Sequence, residues 1–530
     1  MKKIILLFLL LPVFKEIRSQ NTFQKTYGRS GEFGKSIQQT TDEGFIIAGG
    51  TFNGMFKDVC LMKINSYGDT IWTKIYQRIE AGYLNAEAYA VLQTIDGGFI
   101  IAGCTNNFSN GNYNYDVYLI KTTSNGDTLW TKTFGGSGND FGYSVQQTID
   151  GGYIITGVTN SFNSANSAYL IKTDSNGNLL WSKTYEGGGV FSVQQTVQGG
   201  FIIAGGTASY GAGGGDVYLI KTDANGNIVW SRTYGGIAPD RAFSVQQTHD
   251  SGFIIAGETY SFSSTGNNVF LIKTDENGNI SWSKTFGGTG GGSANDVWQT
   301  MDRGFIITGS TAFGSGGSDV YLIKTTASGN LEWSKTFGRT GNDIGHSVRQ
   351  TTDGGFIIAG ITVCCNYSAT SEIYLIKTDS FGNSGCNETN PQTIQTDPAT
   401  TQGTPVTIVT IPLTQVGSPS TFVGNNKSIQ TNLCSNSVIT GIAKTKNSST
   451  LIVYPNPATG VFQVNYSSTE KSNLTLTVSD SNGKRIYADS QKNFSGQYIK
   501  TIDLSKQSKG TYYIELITDG KKSIEKIILN

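Results

Sequence analysis

Short apolar runs separated by polar, glycine-rich turns fill most of this chain, and they recur as a set. The most regular run reads DEGFIIAG at 42, DGGFIIAG at 96, DGGYIITG at 150 and QGGFIIAG at 198, then DSGFIIAG at 250, DRGFIITG at 302 and DGGFIIAG at 353. Phe201 and Ile203 lie on one face of such a strand, and Ile202 and Ala204 on the other. A strand of a one-sided sheet would alternate with polar residues. One that is apolar on both faces lies between two other sheets. Each copy carries three more strand signals, resembling SVQQT at 144–148, DVYLIKTD at 216–223 and NIVWSRTYGG at 227–236. The Asn-Gly pairs at Asn176, Asn225 and Asn277 predict two-residue hairpin turns with both central residues at positive φ.

Seven copies at a spacing of roughly 52 residues fall in the range of repeat architectures. Four-stranded sheets stacked face to face around an axis predict an all-β chain whose main body is a seven-bladed β-propeller over 20–384. Ring closure is written at the chain ends. Six fourth strands carry Trp72, Trp130, Trp181, Trp230, Trp282 and Trp333, and the seventh copy lacks its own. The missing strand is FQKTYG at 23–28, ahead of the first copy, so the N-terminal strand is expected to complete the last blade and leave no open edge. The repeats resemble a family of bacterial β-propeller repeats over about residues 23–383, a resemblance that implies fold much more than function.

Composition narrows the classes. The chain has 530 residues, 68 of them Gly, with Lys+Arg and Asp+Glu both 39, so no basic excess points to nucleic acid or an anionic membrane. Lys2 and Lys3 precede an apolar stretch at 4–14 that is too short to span a bilayer, which predicts a signal peptide over 1–19 and no transmembrane segment in the mature chain. Six cysteines are too few for a disulfide framework, although Cys386 and Cys434 could pair in an exported protein.

After 384 the composition turns to Thr, Ser, Pro and Asn, which predicts a disordered linker over 385–447. Strand patterning returns over 448–530 with several short runs, which predict a small β-sandwich. YPNPATG (Tyr454, Pro455, Asn456, Pro457, Gly460), KGTYYIEL (Gly510, Tyr512) and KKSIEKIIL (Lys521, Lys522) resemble the type A C-terminal sorting domain of the type IX secretion system. The resemblance implies docking on type IX machinery at the outer membrane, and delivery to the cell surface or the medium.

Chemistry is sparse. His249 stands where another copy has Ile149, and His346 where another has Tyr143; both read as substitutions in structural slots. H-E-x-x-H, G-x-S-x-G, P-loop and Cys-x-x-Cys patterns are absent, so neither catalytic residues nor a metal or cofactor is expected. Asp174, Gly177 and Trp181 have the wrong spacing for a sialidase Asp-box, and the repeats lack the Thr-Gly motif of quinone-dependent dehydrogenases. Asp174, Asp223 and Asp275 read as turn residues rather than calcium ligands, because DSNGN is too short for an EF-hand loop. Two loop sets on one face remain. Fourth-to-first loops carry Glu32, Asp140, Asp240 and Asp343, and second-to-third loops carry Phe108, Phe162, Tyr210, Phe262, Phe313 and Tyr367. Aromatic rings beside carboxylates suit sugar binding. The blander reading is that residues recurring in every blade serve the blade. The vicinal pair Cys364 and Cys365 has no assigned role. The expectation is an exported, non-enzymatic module that binds a glycan or protein ligand. The alternatives are a structural or assembly component of the cell surface, and a propeller hydrolase or quinone-dependent dehydrogenase.

Overall fold

A computed structural model describes residues 20–437 apart from 29–30, 54–55, 78–84, 107–113, 163–165, 265, 314–315, 364–370, 406, 408, 411–413, 418–421 and 426–429. It also describes residues 452–529 apart from 455–460, 481–482 and 519–520. The segment read as a signal peptide lies outside the described residues. Every described element is a strand, and among the described residues no helix is long and apolar enough to cross a membrane. The chain divides into two units, Met1–Val438 and Ile439–Asn530.

The first unit holds seven antiparallel sheets built from the repeats, numbered 1 to 7 here by their first strands Phe33–Gln39, Ala86–Gln93, Asp140–Gln147, Gly188–Gln195, Asp240–Gln247, Ser293–Gln299 and Asp343–Gln350. Sheet 3 is typical, with strands Asp140–Gln147, Tyr153–Thr159, Ser167–Thr173 and Leu179–Tyr185 in that order. The recurring letters now have physical reasons. The central run is buried on both faces, with Phe201, Ile202, Ile203 and Ala204 all at 0–1 % exposure. The aspartate opening the run pairs with the lysine of the third strand, as in Asp96–Lys121 and Asp150–Lys172 at 2.8 Å; sheet 4 has Gln198 in its place. Each fourth-strand tryptophan meets the first aromatic of the next sheet's central run, Trp72 on Phe99 at 6.1 Å and Trp333 on Phe356 at 5.9 Å. The indole also lies over the next sheet's turn glycine, where a Cβ on Gly126 would sit 2.9 Å from Trp72.

The glutamines of SVQQT tie sheet to sheet. The backbone N–H of Thr41 donates to Gln93 Oε1 at 2.9 Å, Ile95 to Gln147 at 2.9 Å, and Ile149 to Gln195 at 2.9 Å. Val197 donates to Gln247 at 2.9 Å, His249 to Gln299 at 3.0 Å and Met301 to Gln350 at 2.8 Å. Thr352 of sheet 7 then donates to Gln39 of sheet 1 at 2.9 Å. The N-terminal strand Asn21–Tyr27 is the fourth strand of sheet 7, with Phe23 opposite Lys377 and Tyr27 opposite Ile373. Phe23 shares one core with Phe45 and Ile47 of sheet 1 and Ile357 and Leu375 of sheet 7.

The described residues of the segment expected to be a disordered linker, up to residue 437, add a fifth strand to each of these seven sheets. Glu388–Thr389 pairs with sheet 6, Ile394–Thr396 with sheet 5, Thr401–Gly403 with sheet 4 and Val409–Thr410 with sheet 3. Gln415–Gly417 pairs with sheet 2, Phe422–Asn425 with sheet 1, and Gln430–Ser437 with the N-terminal strand in sheet 7. This belt visits the sheets in reverse order and returns to the sheet it left. A disulfide between Cys386 and Cys434 joins its two ends, 48 residues apart. The linker expectation failed because it weighed apolar content alone. An edge strand presents a row of unpaired N–H and C=O groups, and a polar segment is ordered by pairing with it. The belt also carries hydroxyls to the sheets: Thr414 meets Tyr169 at 2.6 Å and Ser182 at 2.7 Å, and Thr393 meets Ser334 at 2.8 Å and the Tyr321 hydroxyl.

The hairpin turns also differ from expectation. Gly177, Gly226 and Gly278 take φ of 74°, 73° and 76°, but the asparagines before them do not take positive φ. Asp174 Oδ1 accepts the N–H groups of Asn176 at 2.9 Å and Asn178 at 2.8 Å, and the register slips after Lys172. The carboxylate therefore holds a longer turn closed by a bulge glycine.

The second unit is one sheet rather than two separate ones. Ile452–Tyr454, Val461–Asp480, Gly510–Thr518 and Lys521–Leu529 lie in that order, and Arg485–Asp503 pairs with the long Val461–Asp480. That long pairing breaks register between Ser468 and Leu474. Phe462 and Val464 on one side of the break and Leu474 and Leu476 on the other share a core with Tyr512 and Ile514. The two halves of that sheet thus enclose a common core.

Candidate functional site

The glycine of every FIIAG-type run faces a backbone carbonyl of the first strand. A Cβ on Gly157 would lie 1.7 Å from Phe141 O, and one on Gly103 1.8 Å from Glu87 O. That close approach accompanies a β-bulge in every first strand. The register slips across Lys35, Tyr89, Tyr143, Phe191, Phe243, Asn295 and His346. Bulges re-aim side chains, and these seven residues line one central cavity of about 200 Å³ to which all seven first strands contribute.

The wall of the cavity has two unlike halves. Tyr89, Tyr143, Phe191 and Phe243 form a half-buried aromatic arc with successive ring centroids 5.0, 5.3 and 5.5 Å apart. Sheets 6, 7 and 1 break the pattern with Asn295, His346 and Lys35. Lys35 Nζ lies 3.1 Å from His346 Nε2. Burial, then the Lys35 charge, pushes the His346 imidazole down to about 3, so it is neutral and accepts from the lysine. Burial also lowers the Lys35 ammonium, against the pull of Glu87. Asp296 stands where the other sheets have Ser or Ala. Its carboxylate pairs with Arg349 at 2.5 Å and accepts from Ser244 Oγ at 3.0 Å, Ser347 Oγ at 3.2 Å and Val348 N at 3.0 Å. Arg349 lies 4.2 Å over the Trp298 ring. Lys57 is taken by Glu87. Among the described residues Lys35 has no ion-pair partner, which leaves one uncompensated cation in the cavity. Sequence reasoning missed this site. Its signal was the break in the repeat at a slot otherwise held by Tyr or Phe.

The loop residues singled out from the sequence go elsewhere. Phe162 packs on Tyr169 at 5.7 Å, Tyr210 on Tyr218 at 6.1 Å, Phe262 on Phe270 at 5.6 Å and Phe313 on Tyr321 at 6.3 Å. Phe108 and Tyr367 lie outside the described residues, as do Cys364 and Cys365. Asp140, Asp240 and Asp343 open first strands rather than sitting in loops, and all three are buried. Asp140 Oδ2 accepts Gly136 N at 2.9 Å and Ser161 Oγ at 2.6 Å, and Asp240 Oδ2 accepts Gly236 N at 2.8 Å and Ser261 Oγ at 2.7 Å. Asp343 Oδ2 accepts Arg339 N at 2.9 Å. Each faces an aspartate of the preceding sheet across a glycine. A Cβ on Gly135 would lie 1.9 Å from Asp116 Oδ1 and 2.7 Å from Asp140 Oδ2. Burial and then the facing carboxylate raise Asp116 to about 7 and Asp319 to about 6. Glu32 is buried against Gly28. Of the histidines, His249 is exposed and its Nδ1 lies 2.7 Å from Gln299 Oε1.

In the second unit, Tyr454 ends its strand and Gly510 opens another at φ 148°. The buried Tyr512 donates its hydroxyl to Ser508 O at 2.7 Å, and Lys521 and Lys522 open the last strand opposite Thr518 and Ile517. Pro455, Asn456, Pro457 and Gly460 lie outside the described residues.

An all-β body of repeated antiparallel, blade-like sheets is that of a propeller-type repeat protein. Residues 452–530 match the secretion system C-terminal sorting domain, so the chain carries a type IX sorting domain and is handled by that machinery for export to the cell surface or extracellular space. No curated protein matches it. Among solved structures, Chaetomium thermophilum Sqt1 matches at 10 % identity, over 68 % of this chain and 96 % of that one, with a TM-score of 0.38. A tetra-tandem repeat from the extending region of a large adhesion protein matches at 10 % identity, over 93 % and 98 %, with a TM-score of 0.12.

Proposed function

We propose that this protein is a non-enzymatic binding module: a closed seven-bladed propeller whose central cavity takes a ligand outside the cell. The reading of a closed ring is supported by the sheet-to-sheet hydrogen bond from Thr352 to Gln39, which repeats between sheets 7 and 1 the bond made between all the others. The observation that carries the binding role is the broken repeat at the cavity wall. Repeated residues serve the sheets, whereas Lys35, Asn295, Asp296 and His346 depart from the repeat together, in neighbouring sheets, around one opening. Aromatic faces opposite polar groups suit a glycan.

The test is a glycan array probed with the purified chain and with a Tyr143→Ala, Phe191→Ala double variant of unchanged melting temperature. Binding that the double variant loses supports the reading. A blank array, with a protein partner recovered instead, favours a structural or assembly role. Sorting is tested separately. Truncation after Val438 should leave a folded body stranded in the periplasm, and residues 439–530 behind a signal peptide and a fluorescent protein should carry that cargo out.

A further inference from the structure

We propose that the ligand of the central cavity is acidic, a single carboxylate-bearing pyranose such as a uronic or sialic acid residue at the end of a glycan. This rests on the binding role above and adds its chemistry. The cavity is about 200 Å³, below the roughly 300 Å³ at which pockets for drug-sized ligands begin, so it suits one ring rather than a chain.

Charge selects the kind of ring. Of the two lysine and arginine cations that line the cavity, Arg349 has Asp296 as its partner. Lys35 lies over the Phe33 ring and within the pull of Glu87, but the one hydrogen bond shown for its ammonium is to the neutral His346, which accepts one of its three protons. A buried charge without a partner is costly, and a carboxylate entering the cavity would supply that partner. Tyr143, stacked on Phe141 behind it, and Phe191 line the aromatic side of the wall and are the rings assigned to the C–H side of a pyranose. The Tyr143 hydroxyl makes no hydrogen bond among the described residues and is placed for a sugar hydroxyl. A neutral His346 beside the lysine leaves the positive charge on Lys35 alone, so the site should tell acid from neutral sugar by one residue.

Calorimetry on the purified chain tests this with glucuronate, N-acetylneuraminate, glucose and benzoate as probes. At least one acidic sugar should bind tenfold or more tighter than glucose. Lys35→Met should remove that preference and Lys35→Arg should keep most of it, so a folding failure of one variant leaves the other informative. Raising salt should weaken the acidic sugar and leave glucose unchanged. Equal binding of glucose and glucuronate, abolished by the Tyr143 and Phe191 changes, would overturn the charge inference while keeping the binding role. Benzoate binding without either acidic sugar would overturn the pyranose. No binding by any of the four overturns the proposal, and the glycan array then decides the binding role independently.

Discussion

Strands Phe201–Thr207 and Thr401–Gly403 belong to the same sheet and are made of opposite materials. The first is β-branched and aromatic, and its leading residues are almost wholly excluded from water. The second is Thr-Gln-Gly, three residues long and partly exposed. The inner strand is held by apolar surface buried between two sheets. The belt strand has no comparable surface, and its order comes from hydrogen bonds to an edge that already exists. Inner strands can therefore be recognised one at a time, whereas a belt strand has meaning only beside its sheet. The two regions also keep different periods in register. About 52 residues build each inner sheet, while the belt spends seven on each step, with Thr393, Thr400, Thr407 and Thr414 and likewise Pro391, Pro398, Pro405, Pro412 and Pro419 at intervals of seven.

This comparison can be broken most severely at the one strand that belongs to both regions. Asn21–Tyr27 completes sheet 7 and is also the partner of the belt's last strand. Deleting it should cause aggregation or loss of a single cooperative transition, measured by thermal melting and light scattering. Melting like that of the intact chain would show that neither region needs it.

Opening the belt should cost less. Cys434→Ser removes the constraint on a segment of 48 residues, for which loop-closure entropy predicts about 4 kcal/mol in chemical denaturation. Hydrogen exchange sharpens the contrast. Amides of 388–437 should lose protection while those of the FIIAG-type runs keep theirs; uniform loss would mean that the belt and the inner sheets unfold as one.

A Gly157→Ala substitution attacks an inner sheet alone, by driving a methyl group into Phe141 O at the bulge. Roughly 3 kcal/mol should be lost in denaturant titration, with belt amides protected as before.

The smallest effect is electrostatic. Burial and then the facing Asp140 raise the Asp116 carboxyl to about 7 in the folded state, from an ordinary carboxylate value near 3.8. The folded state therefore binds more protons between those values, and the stability this pair contributes is full below about 4 and lost as pH rises through about 7. In Asp116→Asn that slope should flatten. The variant should gain on the wild type between pH 4 and 8 by on the order of 2 kcal/mol. An unchanged difference across that range would show that the two carboxylates do not share a proton.

Much of the inner architecture could be read from single letters because each has a local cause. Apolar runs, turn glycines and the Trp of each fourth strand mark out the sheets, and the absence of one Trp pointed to the N-terminal strand. The sorting domain was legible in three motifs at the chain end. The cavity was not, although its elements were in view. His346 reads in sequence as filling a structural slot, and Lys35, one residue ahead of SIQQT, carries no motif of its own. The seven-residue spacing of the belt's Thr and Pro was equally present and went unread, because Thr- and Pro-rich sequence with few apolar residues matches disorder as well as it matches an edge strand.

By itself, then, the chain's pattern determined what depends on near neighbours: strand identity, turn positions, the number of repeats, and the means of export. The tertiary structure alone decided what depends on residues far apart. Seven bulged side chains, spread from Lys35 to His346, become one cavity wall only when seven first strands converge. A polar segment becomes a belt only when seven edges wait for it, and Cys386 meets Cys434 only after the belt has gone around. The physical reason is common to both. Burial of apolar side chains is signalled by composition along the chain, but hydrogen-bond pairing at an edge and convergence at a centre depend on partners that local composition does not name.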